Sequence, residues 1–244
     1  MRADQLLFKL GFARSRENAK KLIADGAVNI NGKTVQKPSE DFDEASVIEL
    51  KDNVINKYVS RGGLKLEHAI TEFGIDVKGM TALDIGASTG GFTDCLLKNG
   101  AALVYAVDVG TGQLHPDIFA DKRVISIESC NAREPVSEVK EKCDIVVMDV
   151  SFISQTLLYK TVCHHLADGG IFISLIKPQF EAGRENLSSG GIVKSEKVRL
   201  KVIENLRNTA FSAGLEMKSC VASPITGGDG NTEYLAFFKK RGVS

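Results

Sequence analysis

Short apolar segments and amphipathic segments alternate along the last three quarters of the chain. Runs of apolar residues predict buried strands, whereas apolar residues that recur every three or four positions predict helices. This alternation implies a mainly parallel sheet with helices on both faces. The predicted strands are residues 81–85, 103–108, 124–128, 143–150 and 171–176, followed by 217–222 and 233–238. The predicted helices are residues 66–73, 92–98, 154–166 and 198–213, with Gly169 and Gly170 closing the third.

The first fifty residues follow a different pattern. Two short segments with helical spacing come first, and an alternating segment centred on Asn31 and Gly32 comes next. An Asn-Gly pair between alternating apolar residues is a strong signal for a β-hairpin. The predicted elements are helices at 3–10 and 15–24, a hairpin at 28–35 and a strand at 46–50.

A short polar stretch at residues 53–60 separates the two patterns. The 244 residues are enough for one or two domains, and the change of pattern favours two. We therefore predict a small α+β domain at residues 1–56 and an α/β domain with a Rossmann-like sheet at residues 57–244.

Charge is balanced over the chain but not along it. The 31 basic and 31 acidic residues cancel, so no global field indicates a nucleic-acid partner. The first 37 residues carry eight basic and three acidic side chains, a net charge of +5. Such a local excess can follow a phosphate backbone, although the solvated faces of a small domain explain it equally well.

Cysteine usage and hydropathy bear on the compartment. The five cysteines are odd in number, widely spaced and without a C-x-x-C pair, so we expect free thiols in a reducing compartment. We see no signal peptide and no run of about 20 apolar residues that would span a membrane. We expect a soluble cytoplasmic protein without a membrane partner.

The glycine-rich turn after the strand at 81–85 is the main candidate for a ligand site. A strand, a glycine turn and a helix start let a backbone approach a ligand closely. The order Asp84-x-Gly86-x-x-x-Gly90-Gly91 departs from the dinucleotide fingerprint. A carboxylate at this turn opposes a pyrophosphate but suits S-adenosylmethionine, which is cationic and lacks phosphate. An ordinary strand–helix turn is the alternative.

Two further residues extend this candidate site. Asp108 lies about twenty residues after the turn, at the tip of the next strand, where an acidic residue accepts bonds from ribose hydroxyls. Asn131 follows the third strand, where loops contact adenine. The predicted cofactor-binding residues are Asp84, Gly86, Ala87, Ser88, Gly90, Gly91, Phe92, Asp108, Asn131 and Asp149.

Charged side chains also gather at the predicted carboxyl ends of the strands. Asp149 lies at the C-terminal end of a strand, Lys177 follows one, Lys65 lies at the start of a helix, and Glu233 starts the final strand. A lysine can act as a base toward a hydroxyl if its pKa of about 10.4 falls substantially, or it can position the attacking oxygen. Sequence leaves both routes open, and each charge taken alone is explained by solvent exposure.

The first fifty residues resemble the RNA-binding module named after ribosomal protein S-four. The resemblance lies in Arg14-Ser-Arg16, Leu22-Ile23, Gly26 and Val28-Asn-Ile-Asn-Gly-Lys33. It implies RNA binding through the second helix and the hairpin. The predicted RNA-binding residues are Arg14, Arg16, Lys20 and Lys33, together with Arg61 beyond the module.

The whole chain is similar to the TlyA / haemolysin A family, which joins this module to an FtsJ-like methyltransferase domain of class I. The motifs are Ser60-Arg-Gly-Gly-Leu-Lys-Leu, the glycine turn, Asp149-Val-Ser-Phe-Ile-Ser, Leu175-Ile-Lys-Pro-Gln-Phe-Glu and Gly230-Asn-Thr-Glu-Tyr. The resemblance implies S-adenosylmethionine-dependent 2′-O-methylation of ribosomal RNA, on cytidine. It implies a catalytic tetrad of Lys65, Asp149, Lys177 and Glu233, without a metal. The chain has Tyr58 where the family pattern has tryptophan.

Other functions remain open from the sequence. An RNA-binding protein with a non-catalytic methyltransferase-like domain is one, and a haemolysin, as the family name suggests, is another. A small-molecule methyltransferase is the weakest, because it leaves the first fifty residues without a role. The expected partner is ribosomal RNA or a ribosomal subunit, and a monomer suffices for the chemistry.

Overall fold

A computed structural model describes residues 1–13, 16–24, 26–50, 57–227 and 230–242. The chain forms two compact units, Met1–Lys57 and Tyr58–Ser244. The proposed domain boundary at residues 56 and 57 lies beside this division. Ser15, at the start of the second predicted helix, and residues 53–56 of the polar stretch lie outside the described residues.

The first unit packs two helices on a small sheet. Its elements are α1 (Ala3–Lys9), α2 (Arg16–Ala24), β1 (Val28–Ile30), β2 (Lys33–Thr34) and β3 (Ile48–Leu50). The sheet is antiparallel in the order β2-β1-β3. Asn31 and Gly32 both have positive φ, 52° and 76°, as a two-residue hairpin turn requires. Leu6, Leu7 and Ile23 are in its core. The predicted hairpin is therefore confirmed.

The second unit is a seven-stranded sheet covered by helices. Its strands are β4 (Thr81–Ile85), β5 (Leu103–Val107), β6 (Val124–Ile127), β7 (Cys143–Met148), β8 (Leu166–Ile176), β9 (Leu215–Ala222) and β10 (Tyr234–Lys240). Its helices are α3 (Gly62–Glu72), α4 (Gly91–Lys98), α5 (Pro116–Phe119), α6 (Tyr159–His165) and α7 (Glu196–Ser212). Short 3-10 turns cover Gln155–Leu158, Pro178–Phe180 and Arg184–Asn186.

The strand order is β6-β5-β4-β7-β8-β10-β9. Strands β4 to β8 are parallel, and β10 runs antiparallel to both β8 and β9. One core contains Tyr159 of α6 and Leu206 of α7, and a separate core contains Leu66 of α3 and Leu96 of α4. The mainly parallel sheet with helices on both faces is confirmed.

The predicted boundary between the third helix and the strand after it is wrong at both sides. Gly169 and Gly170 do not close a helix, because α6 ends at His165 and β8 begins directly at Leu166. Leu166 pairs with Cys143, and the register then shifts before Ile171 pairs with Ile145. Gly169 has φ 72°, so the two glycines form a bulge within the strand. Glycine serves both helix ends and bulges, and local sequence does not separate the two uses.

Among the described residues, no helix has the length and apolar character needed to cross a membrane. The same part of the chain contains no group of His, Cys, Asp and Glu side chains arranged to hold a metal ion. Each of the five cysteines is a free thiol.

Candidate active site

The turn between β4 and α4 is built so tightly that it requires glycine. Gly86 has φ 84°, and a Cβ at this position would lie 2.5 Å from the carbonyl oxygen of Asp149. Gly90 has φ 89° and caps α4, and a Cβ there would lie 2.9 Å from the Leu114 side chain. These backbone conformations and close approaches are open to glycine alone. The turn therefore lies directly against the end of β7.

Asp84 lies beneath this turn and is completely buried. Its Oδ2 accepts a hydrogen bond of 2.7 Å from Thr93 Oγ1, whereas its Oδ1 has no partner. Burial raises the pKa of the Asp84 carboxyl to about 7, against the opposing effect of the Thr93 hydrogen bond, and the charges of Asp149 and Asp108 raise it further. A buried carboxylate with an unpaired oxygen favours a cationic or hydrogen-bond-donating ligand nearby.

A cavity of about 520 Å³ lies at the carboxyl ends of β4, β5 and β7. Its volume is within the usual range of about 300 to 1,000 Å³ for small-molecule sites. The predicted cofactor residues that line it are Gly86, Ser88, Asp108, Asn131 and Asp149. The predicted residues Asp84, Ala87, Gly90, Gly91 and Phe92 belong to the floor and flank of the turn rather than to the lining.

Asp108 is held by the backbone on both sides. Its Oδ2 accepts from the Ser88 N–H at 2.8 Å, and its Oδ1 accepts from the Gly110 N–H at 2.7 Å. Each carboxylate oxygen keeps a further lone pair, so Asp108 can still accept bonds from ligand hydroxyls. Asn131 is exposed, and its Oδ1 accepts from the Arg133 N–H at 3.2 Å.

Two charged pairs lie at the edge of the sheet where the parallel strands end, which we call the rim. The first pair joins Lys177 and Asp149. Lys177 Nζ lies 2.6 Å from Asp149 Oδ1 and donates a hydrogen bond of 2.8 Å to Ser151 Oγ. Asp149 Oδ1 has no partner in hydrogen-bond geometry, so the contact with Lys177 is an ion pair rather than an aligned hydrogen bond. The side chains are 13% and 23% exposed, which leaves the pair open to a substrate on one side.

The second charged pair joins Lys65 and Glu233. Lys65 Nζ donates to Glu233 Oε2 at 2.5 Å, across 168 residues of sequence. The side chains are only 11% and 3% exposed. Two charges this far from water are tolerated because each neutralises the other.

Sheet register brings the two pairs to the same rim. Tyr234 pairs with Ile176 at the last step of the antiparallel β8–β10 ladder, so the next residues, Glu233 and Lys177, lie at this end of the ladder. Strands β7 and β8 are neighbours, which places Asp149 one strand away. Of the four predicted catalytic residues, only Asp149 also lines the cavity described above.

Two residues at this rim were not predicted from the sequence. Ser151 accepts from Lys177, and Glu181 bonds to the segment that follows Asp149. Both lie within the motifs around Asp149 and Lys177, but serine and glutamate are common on surfaces. Nothing in the local pattern distinguishes them from solvated residues.

The predicted RNA-binding side chains of the first unit differ in their contacts. Arg16 Nη2 donates to the buried Asp4 Oδ2 at 2.9 Å while its side chain stays 48% exposed. Lys20 pairs with Glu17 at 2.6 Å, and Lys33 is exposed on β2. Arg14 lies outside the described residues. In the second unit, Arg61 is half-buried at the start of α3.

Two family models together match nearly the whole chain. Residues 58–240 match the model of the FtsJ-like methyltransferase family, and residues 1–48 match the S4 domain. These ranges fall within the two compact units of the structure.

Individual relatives also align over almost their full length. A protein of Brachyspira hyodysenteriae named Hemolysin A is 43% identical, over 98% of this chain and 99% of that protein. The 16S/23S rRNA (cytidine-2'-O)-methyltransferase TlyA of Mycobacterium tuberculosis is 37% identical, over 98% of this chain and 89% of that protein. A solved structure from Streptococcus thermophilus, described as a hemolysin, is 45% identical with a TM-score of 0.79, over 99% of this chain and 88% of that one.

Proposed function

We infer the function from one premise, namely that the chain belongs to the FtsJ-like methyltransferase family and carries an S4 domain at its N-terminus. It is an S-adenosylmethionine-dependent enzyme that methylates the 2′-hydroxyl of a ribose in ribosomal RNA, on cytidine. The relative named 16S/23S rRNA (cytidine-2'-O)-methyltransferase supports this substrate. The single observation that carries the proposal is a cavity at the glycine turn with a lysine–carboxylate pair, Lys177 and Asp149, at its edge.

The cavity fits S-adenosylmethionine better than a nucleotide. Asp84, buried beneath the turn, has an unpaired oxygen, and the cavity wall carries Asp108, so the site favours cations and hydroxyls over phosphates. The absence of a side chain at Gly86 lets the turn pack directly against the carbonyl of Asp149 at the cavity wall. We propose that the turn and Asp84 hold the amino-acid part, that Asp108 holds the ribose, and that the loop of Asn131 holds the base. When bound, the cofactor supplies an electrophilic methyl group.

The reaction needs an oxygen in line with that methyl group and a place for the negative charge that develops on it. Lys177 is the group suited to this task, because an ammonium at the rim can donate to the attacking oxygen. Asp149 and Ser151 hold Lys177 in place from the next strand. Lys65 and Glu233 form a second ion pair at the same rim. The proton of the attacking hydroxyl leaves through the carboxylates of the site or to water.

The first unit supplies RNA binding. We propose that Lys33 and the exposed part of Arg16 contact RNA phosphates, with Lys20 beside them and Arg14 and Arg61 as further contacts. Cations at such positions bind the backbone regardless of sequence. The target is a ribosomal subunit or its free RNA, and the reaction takes place in the cytoplasm.

The test is transfer of labelled methyl groups from S-adenosylmethionine to separated small and large ribosomal subunits, with nuclease mapping of the product. The wild-type chain should label a cytidine whose ribose resists alkaline cleavage. Lys177→Ala should abolish transfer and retain cofactor binding, whereas Lys197→Ala, at an exposed position on α7, should leave both intact.

Two results would contradict the proposal in different ways. A Lys177→Ala variant that methylates at the wild-type rate would remove the catalytic assignment. A wild-type chain that binds ribosomal RNA without binding the cofactor would favour an RNA-binding protein with a non-catalytic domain.

A further inference from the structure

Two loops carry the reactive groups of the rim. The first follows β7 and contains Asp149 and Ser151, and the second follows β8 and begins with Lys177. Lys177 Nζ contacts side chains of the first loop at 2.6 and 2.8 Å. Because the two partners belong to different loops, this geometry holds only while one loop is fixed against the other.

Glu181 joins the two loops through two hydrogen bonds. Its Oε2 accepts a hydrogen bond of 2.7 Å from Ser154 Oγ, and its Oε1 accepts one of 2.9 Å from the Gln155 N–H. Glu181 lies four residues after Lys177, and both of its carboxylate oxygens therefore bind the end of the first loop. Burial raises the pKa of the Glu181 carboxyl, and the bonds from Ser154 and Gln155 oppose this effect. The carboxylate does not belong to the lining of the cofactor cavity.

The partners of Glu181 are themselves anchored. Gln155 is 2% exposed, and its side-chain oxygen accepts a hydrogen bond from Ser174 Oγ on β8. A ring contact between Phe152 and Phe180, with centroids 5.0 Å apart, joins the same two loops. The connection from Glu181 thus returns to β8, the strand that directly precedes Lys177.

We propose that Glu181 is a positioning residue that fixes the loop after β8 on the loop after β7 and so holds Lys177 beside Asp149 and Ser151. This inference rests on the proposed function, because Lys177 is assigned there to the attacking oxygen. Glu181 touches neither substrate nor cofactor in this scheme. Its effect should therefore appear in the chemical step rather than in binding.

The experiment measures single-turnover methyl transfer to purified ribosomal subunits, with enzyme in excess and cofactor saturating. Glu181→Ala removes both bonds and should lower the rate constant about 10- to 100-fold, the effect expected when a reacting group is displaced by about 1 Å. The dissociation constant for S-adenosylmethionine should stay within about threefold of wild type, since Glu181 does not line the cavity. A merely structural role would reduce the fraction of active enzyme but not this rate constant.

Three further variants sharpen the result. Glu181→Gln keeps the length and an acceptor for the Gln155 N–H, and its amide can donate to Ser154 Oγ, so it should restore the rate to within about threefold of wild type. Ser154→Ala removes one of the two bonds, so its loss should be smaller, and adding it to Glu181→Ala should cause no further loss. Glu185→Gln is the matched control, because Glu185 is exposed on the same segment and should behave as wild type.

The outcomes separate this inference from the proposed function. If the wild-type chain methylates RNA and Glu181→Ala has the same single-turnover rate constant, the positioning role is wrong. The role is also wrong if Glu181→Gln is as slow as Glu181→Ala, since the bonds would then not be what matters. A wild-type chain that transfers no methyl group contradicts the proposed function instead.

Discussion

Replacing Gly86 by alanine tests the close approach between the glycine turn and β7. Gly86 has φ 84°, and its added Cβ would lie 2.5 Å from the carbonyl oxygen of Asp149. Contacts of a Cβ below 3.0 Å are essentially never found, so at least 0.5 Å of movement must be absorbed by backbone. The displaced carbonyl belongs to Asp149, so the variant should disturb both the cavity and the ion pair between Asp149 and Lys177.

A second glycine separates this effect from conformational strain. Gly74 has φ 61°, but a Cβ there would have nothing within 4 Å. Left-handed backbone costs an alanine about 1 to 2 kcal/mol at either position. In a domain of this size that cost lowers the melting temperature by roughly 2 to 8 °C. Gly74→Ala should show this loss alone, whereas Gly86→Ala should show a larger one.

The assay compares thermal unfolding and S-adenosylmethionine affinity, by calorimetry, for the two variants. Gly74→Ala should bind the cofactor as wild type does. Gly86→Ala should bind about tenfold more weakly or worse, which corresponds to about 1.4 kcal/mol. If the two variants had equal melting temperatures and equal affinities, the tight contact with Asp149 would have no energetic meaning and the reasoning would be refuted.

Three further predictions concern Asp4, Asp84 and Lys33. Burial raises the pKa of Asp4, but hydrogen bonds from Arg2 and Arg16 outweigh it and lower that pKa from 3.8 to about 2; this carboxylate therefore stabilises the first unit fully above about pH 4 and loses its contribution as the pH falls toward 2. Asp4→Asn should remove that part of the acid dependence in circular-dichroism titrations. The pKa of Asp84 is raised by burial from 3.8 to about 7, so the folded state holds a proton that the unfolded state has lost, and stability should fall as the pH rises across this window. In Asp84→Asn, the free energy of unfolding measured with urea should therefore differ less between about pH 5 and about pH 8 than in wild type. The same variant should weaken cofactor binding. Lys33→Ala should weaken RNA binding and reduce the slope of log affinity against log salt by about one, whereas an unchanged slope would place Lys33 outside the RNA contact.

Much of the fold follows from local signals that need no long-range information. The Asn31-Gly32 turn, the glycine turn and the apolar strands each depend on a few adjacent residues. Gly169 and Gly170 show where such signals end, because the bulge in β8 depends on pairing with Cys143 and Ile145, more than twenty residues away. The pairing, not the glycines, decides whether the chain there continues a strand.

Pairings within the rim depend even more on register. Sequence places Asp149 and Lys177 at strand ends, but it does not say that their side chains meet at 2.6 Å or that Ser151 shares the ammonium. Arg16 shows the same limit in the first unit, because its bond to the buried Asp4 depends on how α1 and α2 pack. The candidate residues were accessible from sequence, whereas their partners required the structure.

The position of Glu233 explains why the last part of the chain is needed at the rim. In the parallel part of the sheet, a strand brings the residue after its last one to the carboxyl edge, as β7 does for Asp149 and β8 for Lys177. Because β10 is antiparallel to β8, it brings the residue before its first one to that same edge, and the Tyr234–Ile176 pairing fixes which residue that is. A shift of one residue in this ladder would turn Glu233 to the opposite face and leave the 11%-exposed Lys65 without its partner. The buried pair therefore links the register of β10 to the arrangement of charges that the proposed reaction requires.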